Sequence, residues 1–312
     1  MKKRISNFIL VLILFAGFGL VLYPSFSEYW NSFHQSRAIA NYAEVIANLD
    51  NEEYERMLLA AEEYNARAAT RSNQYALTDA EMEEYNSLLD LNGTGMFGYI
   101  EIPSLKVNLP IYHGTSESVL QVAAGHVEWS SLPIGGESPH AVLSGHRGLP
   151  TARLFTDLDD LTYGDTFTIT ILNEVFTYSV DQILVVTPDN VESLRIIPGG
   201  DYVTLVTCTP YAINTHRLLV RGTRIENLVD TTLHFTSEAM QIDPLIVSAS
   251  VAAPILLFLL LLVVFSGGKS QKKRDKIVEE YLGHKPASRA GSENDFPDDG
   301  GEDKKGRRKK KK

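Results

Sequence analysis

Cys208 is the only cysteine among 312 residues, and it ends the strand-like run Asp201-Tyr-Val-Thr-Leu-Val-Thr-Cys208. A polar stretch from Thr209 to Arg217 follows, and then a second apolar run. A single thiol forms no disulfide within its own chain and makes a poor metal site. It is therefore either a small core residue or a nucleophile. A thiol nucleophile needs a neighbour that makes it a thiolate or protonates the leaving group. For free side chains at pH 7, about 3% of thiols and about a quarter of imidazoles are charged, so the ionised pair is about 1% of molecules. That is a tolerable loss of under about 3 kcal/mol.

Eight histidines can serve as the partner. His34 falls in a helical N-terminal region, His234 in a short connecting stretch and His284 in the C-terminal tail; all three read as solvent-facing. His113 and His126 bracket a short helical segment and read as structural or surface residues. His140 opens a strand, and His216 adjoins Arg217. His146 is different: Ala141-Val-Leu-Ser-Gly-His-Arg-Gly148 sets it just past an apolar strand, in a glycine-flanked loop. Scaffolds commonly present functional groups from such loops. A guanidinium fork can support an oxyanion, and Arg217, Arg221 and Arg224 all follow Cys208. Spacing alone does not choose among these arginines, and a core thiol, a structural histidine and a surface arginine are the plain alternatives.

These groups need a scaffold. From about Ser27 to Asn73 the apolar residues recur at three and four, and Asn51 is a plausible helix cap. This predicts a helical region over 28–90, packed on the main domain or acting as a spacer. After Asn92-Gly-Thr-Gly95 the pattern changes. Strand-like runs cover 97–102, 108–112, 140–144, 166–172, 175–180, 202–207 and 217–223, with Leu172-Asn-Glu-Val175 as a hairpin turn and 116–127 as a short helix. Seven or eight short strands in about 130 residues predict one mainly β domain, closed or sandwiched, over 91–230.

Two further segments bear on location. Residues 5–27 and 244–268 are free of charge, and each is long enough for a membrane helix of about 20 residues. The first reads as an uncleaved anchor, since no convincing small-x-small site precedes Glu28. Basic residues precede the first run (Lys2, Lys3, Arg4) and follow the second (Lys269, Lys272, Lys273, Arg274, Lys276). The positive-inside rule then puts residues 1–4 and the basic, disordered tail 269–312 in the cytoplasm, and residues 28–243 outside, including a stalk at 231–243. The section between the runs has 11 basic and 30 acidic groups, a charge of −19. Such a surface repels nucleic acid and anionic lipid. A lone unpaired thiol in an exported domain also raises the odds of chemistry. No metal-ligand cluster stands out, and no cofactor is expected.

Several motifs share one resemblance. Thr204-Leu-Val-Thr-Cys208 resembles the TLxTC signature of sortases, the transpeptidases of Gram-positive surface proteins, and the run through Gly222 is similar to their class C, pilus-building branch. Ala141 to Pro150 resembles that family's histidine segment, and Gly98 to Pro103 and Leu109 to Thr115 resemble its opening strands. The likeness spans about residues 90–225, and the two-span layout with N-terminal helices also looks like class C. It implies an eight-stranded β-barrel flanked by two transmembrane helices. It further implies Cys208 as nucleophile, His146 as general acid/base, Arg217 as transition-state arginine, and Thr207 as a backbone contributor to the oxyanion site. The implied reaction cleaves LPxTG-like sorting signals through a thioester and joins pilin subunits to a lysine amine. Rival readings are a sortase of another class that anchors proteins to the cell wall, a thiol hydrolase on the same barrel, and a non-catalytic binding domain. One departure stands: many class C members carry a lid anchored by Asp-Pro-aromatic, whereas no proline occurs between Pro24 and Pro103. Asp79-Ala-Glu81 is the nearest candidate and lacks both the proline and the aromatic plug.

Overall fold

A computed structural model of the chain describes residues 2–227, residue 257 and residues 276–281. The expected stalk at 231–243, and nearly all of the second span and the tail, lie outside the described residues.

Eight strands form a closed barrel. They are β1 (Met96–Ile102), β2 (Val107–His113), β3 (Ala124–His126), β4 (His140–Ser144), β5 (Thr166–Ile171), β6 (Glu174–Val186), β7 (Tyr202–Thr209) and β8 (His216–Ile225). Around the barrel they run β1-β2-β3-β4-β7-β8-β6-β5, and β5 pairs with β1 to close the ring. Closure leaves no bare strand edge to recruit another chain. The pairs β2–β3 and β4–β7 are parallel, and all other neighbours are antiparallel. Alternation explains the strands: in β5, Phe167, Ile169 and Ile171 point inward and are buried, while Thr166 and Thr168 are not.

The structure extends and corrects the expected elements. The hairpin forms as expected at Leu172 and Asn173, but β6 runs six residues beyond Val180. A bulge between Val180 and Gln182 shifts the phase of alternation there, so the strand's second half does not read as a continuation. The short helix expected over 116–127 is a single turn, α4 (Glu117–Leu120), followed by β3. At Gly125 of β3 an added Cβ would lie 2.5 Å from the Gly114 carbonyl oxygen, so only glycine admits this approach of two backbones.

Three helices precede the barrel: α1 (Lys2–Ala47), α2 (Asn51–Thr70) and α3 (Asp79–Ser87). Val11–Ala47 of α1 is, among the described residues, the helix long and apolar enough to cross a membrane. Asp50 caps α2 by accepting from the Glu53 amide, and Thr78 with Glu81 forms a reciprocal capping box on α3. The helices are packed on the barrel. Ala61, Tyr64 and Tyr85 join the barrel's main apolar core. The Tyr42 hydroxyl donates to the Phe97 carbonyl (2.6 Å) and accepts from the Leu172 amide (2.8 Å), pinning α1 to β1 and to the β5–β6 turn. Asn65 meets both backbone groups of Leu132, at 2.9 and 2.7 Å, as a paired strand would. Nearer the N-terminus of α1, Asn31 donates to Thr151 O and Gln35 to Val122 O.

Candidate active site

Strand register brings the expected residues to one end of the barrel. In the parallel pair β4–β7, Leu143 faces Leu205 and Ser144 faces Val206. The ladder continues past the strand, because the Gly145 amide donates to Val206 O at 3.0 Å. Carried two residues on, the same register sets His146 level with Cys208. On the other side of β7, Cys208 pairs directly with Arg217 of β8. Three neighbouring strands therefore deliver a thiol, an imidazole and a guanidinium to a common edge.

Local sequence explains how each is held. At Gly145 a Cβ would fall 2.5 Å from the Phe155 ring, so glycine lets that buried ring close beneath the loop. The Phe155 amide then donates to His146 O at 3.2 Å, fixing the loop backbone. Thr207 is buried, and its hydroxyl donates to Gly145 O at 2.8 Å, which ties the strand of Cys208 to the loop of His146. Cys208 itself is half-buried and unpaired. Beyond it the β7–β8 turn exposes Tyr211 and Ile213, and Arg147 donates to Asp159 while its guanidinium lies 5.7 Å from the centre of the Tyr211 ring.

The three arginines now separate. Arg221 forms a two-pronged pair with Asp181, at 3.0 and 2.7 Å, and stacks on Tyr202. Arg224 lies over Phe176 and near the Asp201 carboxylate. Arg217 donates only to the carbonyls of Asn214 and His216, at 3.3 and 3.2 Å, and among the described residues no carboxylate pairs with it. A guanidinium so placed keeps donors for an incoming anion.

The histidines separate in the same way. His126 is fully buried: Nε2 donates to Ser131 O (2.8 Å) and Nδ1 accepts from the Tyr85 hydroxyl (2.9 Å). His140 is also buried: Nδ1 donates to Arg195 O (2.7 Å) and Nε2 accepts from Thr204 Oγ1 (2.8 Å). Burial pushes the two down to about 3 and about 4, so both are neutral fixtures of the fold. His113 contacts the Gly95 carbonyl and the faces of Tyr85 and Phe97, and burial lowers it too. His34 is exposed on α1, His216 leans on Thr215, and His234 and His284 lie outside the described residues.

Sequence reasoning passed over two features. Glu117, on the single turn α4, sets a carboxylate oxygen 3.4 Å from His146 Nε2. An apolar floor of Val142, Val206 and Leu219 is roofed by Val191 and Leu194 of the β6–β7 loop. By strand alternation Val206 and Leu219 share their faces with Cys208 and Arg217, so the floor leads to the thiol. Asp79, the nearest candidate for a lid anchor, opens α3 behind its Thr78 cap. The strap before it, residues 71–78, is anchored instead on the β6–β7 loop. Gln74 bonds Leu194 O and the Ile196 amide, while Tyr75 donates to Val191 O and meets the Trp129 ring edge-on.

Among the described residues no group of three histidine, cysteine or acidic side chains is placed to hold a metal ion. A family model described as the sortase domain matches residues 100–225. A crystal structure of sortase C1 from Streptococcus agalactiae is 53% identical, with a TM-score of 0.60, covering 61% of this chain and 99% of that one. Sortase C of Streptococcus pneumoniae is 43% identical, with a TM-score of 0.56, covering 61% of this chain and 97% of that one. Sortase A of Streptococcus agalactiae is 28% identical over 234 residues, which are 71% of this chain and 87% of the relative. A closed barrel of this strand order and a 53% identity to a solved sortase C1, spanning 61% of this chain and nearly all of that one, lead to one conclusion: the protein belongs to the sortase family of cysteine transpeptidases.

Proposed function

We propose that this sortase joins pilin subunits, with Cys208 as nucleophile, His146 as general acid/base and Arg217 as the oxyanion donor. The observation that carries the reading is the direct pairing of Cys208 with Arg217, beside a β4–β7 ladder that runs to Gly145, one residue before His146. The Cys208 thiolate attacks the Thr–Gly carbonyl of an LPxTG-like sorting signal, and the charge developing on the carbonyl oxygen is met by the Arg217 fork. The C–N bond breaks as His146 gives a proton to the departing amine, leaving a thioester on Cys208. A lysine amine of the next subunit then attacks the thioester, its proton returns to His146, and the thiolate leaves as the isopeptide bond forms. Thr207 supports this by holding Gly145, and with it the His146 loop, against β7.

Identity favours pilin over cell-wall acceptors. The class C neighbours are 41–53% identical, against 26–28% for the sortase A relatives. The Streptococcus pneumoniae enzyme is described for its pilin substrate specificity. The apolar half of α1 supports membrane anchoring by at least one span, with the barrel outside.

The test is intact mass spectrometry of the full chain in detergent, incubated with an LPxTG-type peptide and no acceptor. The expected result is a mass gain equal to the peptide's acyl fragment, absent in Cys208→Ala. Addition of a pilin lysine acceptor should then release it as an amide. Release only by a cell-wall stem peptide would reassign the acceptor, and loss of the adduct to water alone would make the enzyme a hydrolase.

A further inference from the structure

We propose that Glu117 is a positioning residue for His146, fixing its Nε2–H so that Nδ1 is the nitrogen that exchanges the proton. This rests on the role given to His146 above. His146 Nε2 has no solvent-accessible surface and no formed hydrogen bond, and the Glu117 carboxylate at 3.4 Å is its ion-pair partner. A protonated nitrogen left there would be a buried donor with nothing to accept it, which is costly. At 3.4 Å the contact is longer than a formed hydrogen bond. The Glu117 side chain is 70% exposed, so a small rotation closes the gap.

The carboxylate is itself held in place. Gln121, one helical turn on, donates to the other oxygen of Glu117 at 3.1 Å. Immediately beyond, Gln35 of α1 donates to Val122 O at 2.7 Å, clamping the end of the α4 turn to the long helix. The Gln121 amide and then His146 hold the Glu117 carboxyl below its usual range, so it stays ionised and takes up no proton from the imidazole. With Nε2–H directed at Glu117, Nδ1–H is the proton left to give to the leaving amine. After that transfer the ring keeps Nε2–H, so it is in the correct tautomer to accept the lysine proton at Nδ1.

The test compares Glu117→Gln and Glu117→Asp with the native full-length protein. Two readouts are used: nitrogen chemical shifts of the His146 ring, and single-turnover rates of thioester formation with the LPxTG-type peptide. In native protein the neutral ring should be the Nε2–H tautomer; in Glu117→Gln the two tautomers should mix. The acylation rate should fall about tenfold, a part of the roughly 10²–10⁴ that acid–base catalysis as a whole supplies. The peptide's KM and the melting temperature should not move, and Glu117→Asp, which keeps the charge, should recover part of the rate. An unchanged tautomer in Glu117→Gln would overturn the proposal. So would a loss confined to KM, which would make Glu117 a substrate contact. If native protein forms no thioester at all, the reading of Cys208 and His146 fails, and the ring shifts still decide whether Glu117 sets the tautomer.

Discussion

Two regions of the molecule handle histidine in opposite ways. Beneath α3 and the β6–β7 loop, His126 and His140 have both ring nitrogens engaged by named partners and no contact with water. At the rim of β4 and β7, His146 has one nitrogen 3.4 Å from the Glu117 carboxylate, short of a formed hydrogen bond, while the neighbouring thiol is unpaired and the Arg217 guanidinium meets only two carbonyls. A fully satisfied polar group in a low-dielectric interior is a fixture: its protonation state is set, and moving it is expensive. An incompletely satisfied one is available. This seam therefore holds the barrel and helices together, and the rim carries the groups proposed for catalysis.

That division can be broken at either side. The largest effect is expected from Tyr85→Ala. Tyr85 is fully buried against Tyr64 and His126, and its hydroxyl serves His126 and the Gly114 amide together. Truncating a buried aromatic costs about 4 kcal/mol, so the urea midpoint should drop sharply while the thioester rate per folded molecule holds. Equal loss of rate in the folded fraction would erase the distinction between seam and rim.

Acid should attack the seam next. His126 and His140 have folded values of about 3 and about 4, below the ordinary 6.5, so the unfolded chain takes up protons first as pH falls. Their contribution is fully present above pH 6.5 and is lost progressively from there towards the folded values. At pH 5 the loss is about 2 kcal/mol for each, or about 4 kcal/mol together. Stability measured at pH 7.5 and 5.0 would show it, and a flat profile would contradict the neutral, buried assignment.

On the rim, Arg217→Lys keeps the charge and loses the fork. The thioester rate should fall by up to about 3 kcal/mol in barrier, on the order of a hundredfold, with the melting temperature unmoved. Near-normal turnover would remove Arg217 from the oxyanion role. The smallest effect belongs to Gly148→Ala, at the border between loops. Gly148 has φ +74, and a Cβ there would lie 2.8 Å from the Tyr211 ring. The strained backbone should lower stability by about 1 kcal/mol. Displacing exposed Tyr211 should raise the peptide's KM more than it lowers kcat; an unchanged KM would detach the β7–β8 turn from substrate binding.

Most of the barrel was legible because its strands alternate and its turns are marked. β3 was not, since three residues are too few to show a period, and its defining contact is Gly125 against a distant carbonyl. The second half of β6 was hidden by a bulge, which also turns Asp181 toward Arg221. That single pairing is what separates Arg221 from Arg217, and no spacing rule contains it. The Thr78-Asp-Ala-Glu81 capping box that starts α3 was a readable signal that sequence reasoning passed over. Glu117 was not readable, because one carboxylate among 39 acidic residues gains meaning only when the pairing of β3 with β4 brings the His146 loop beside α4.

The first helix has a mechanical consequence. It runs without interruption from Lys2 to Ala47, apolar in its lower half and bolted to the barrel at Asn31, Gln35 and Tyr42. At 1.5 Å per residue, Tyr42 stands about 22 Å along the axis from Ser27. Such a shaft is a mast and not a tether: whatever grips its lower half sets the height and the compass bearing of the barrel at once. The lowest bolts, Asn31 and Gln35, fasten the Thr151 and Val122 loops that flank His146. The rim that carries His146 is therefore fastened near the foot of the mast, at points roughly 6–12 Å along the shaft from Ser27.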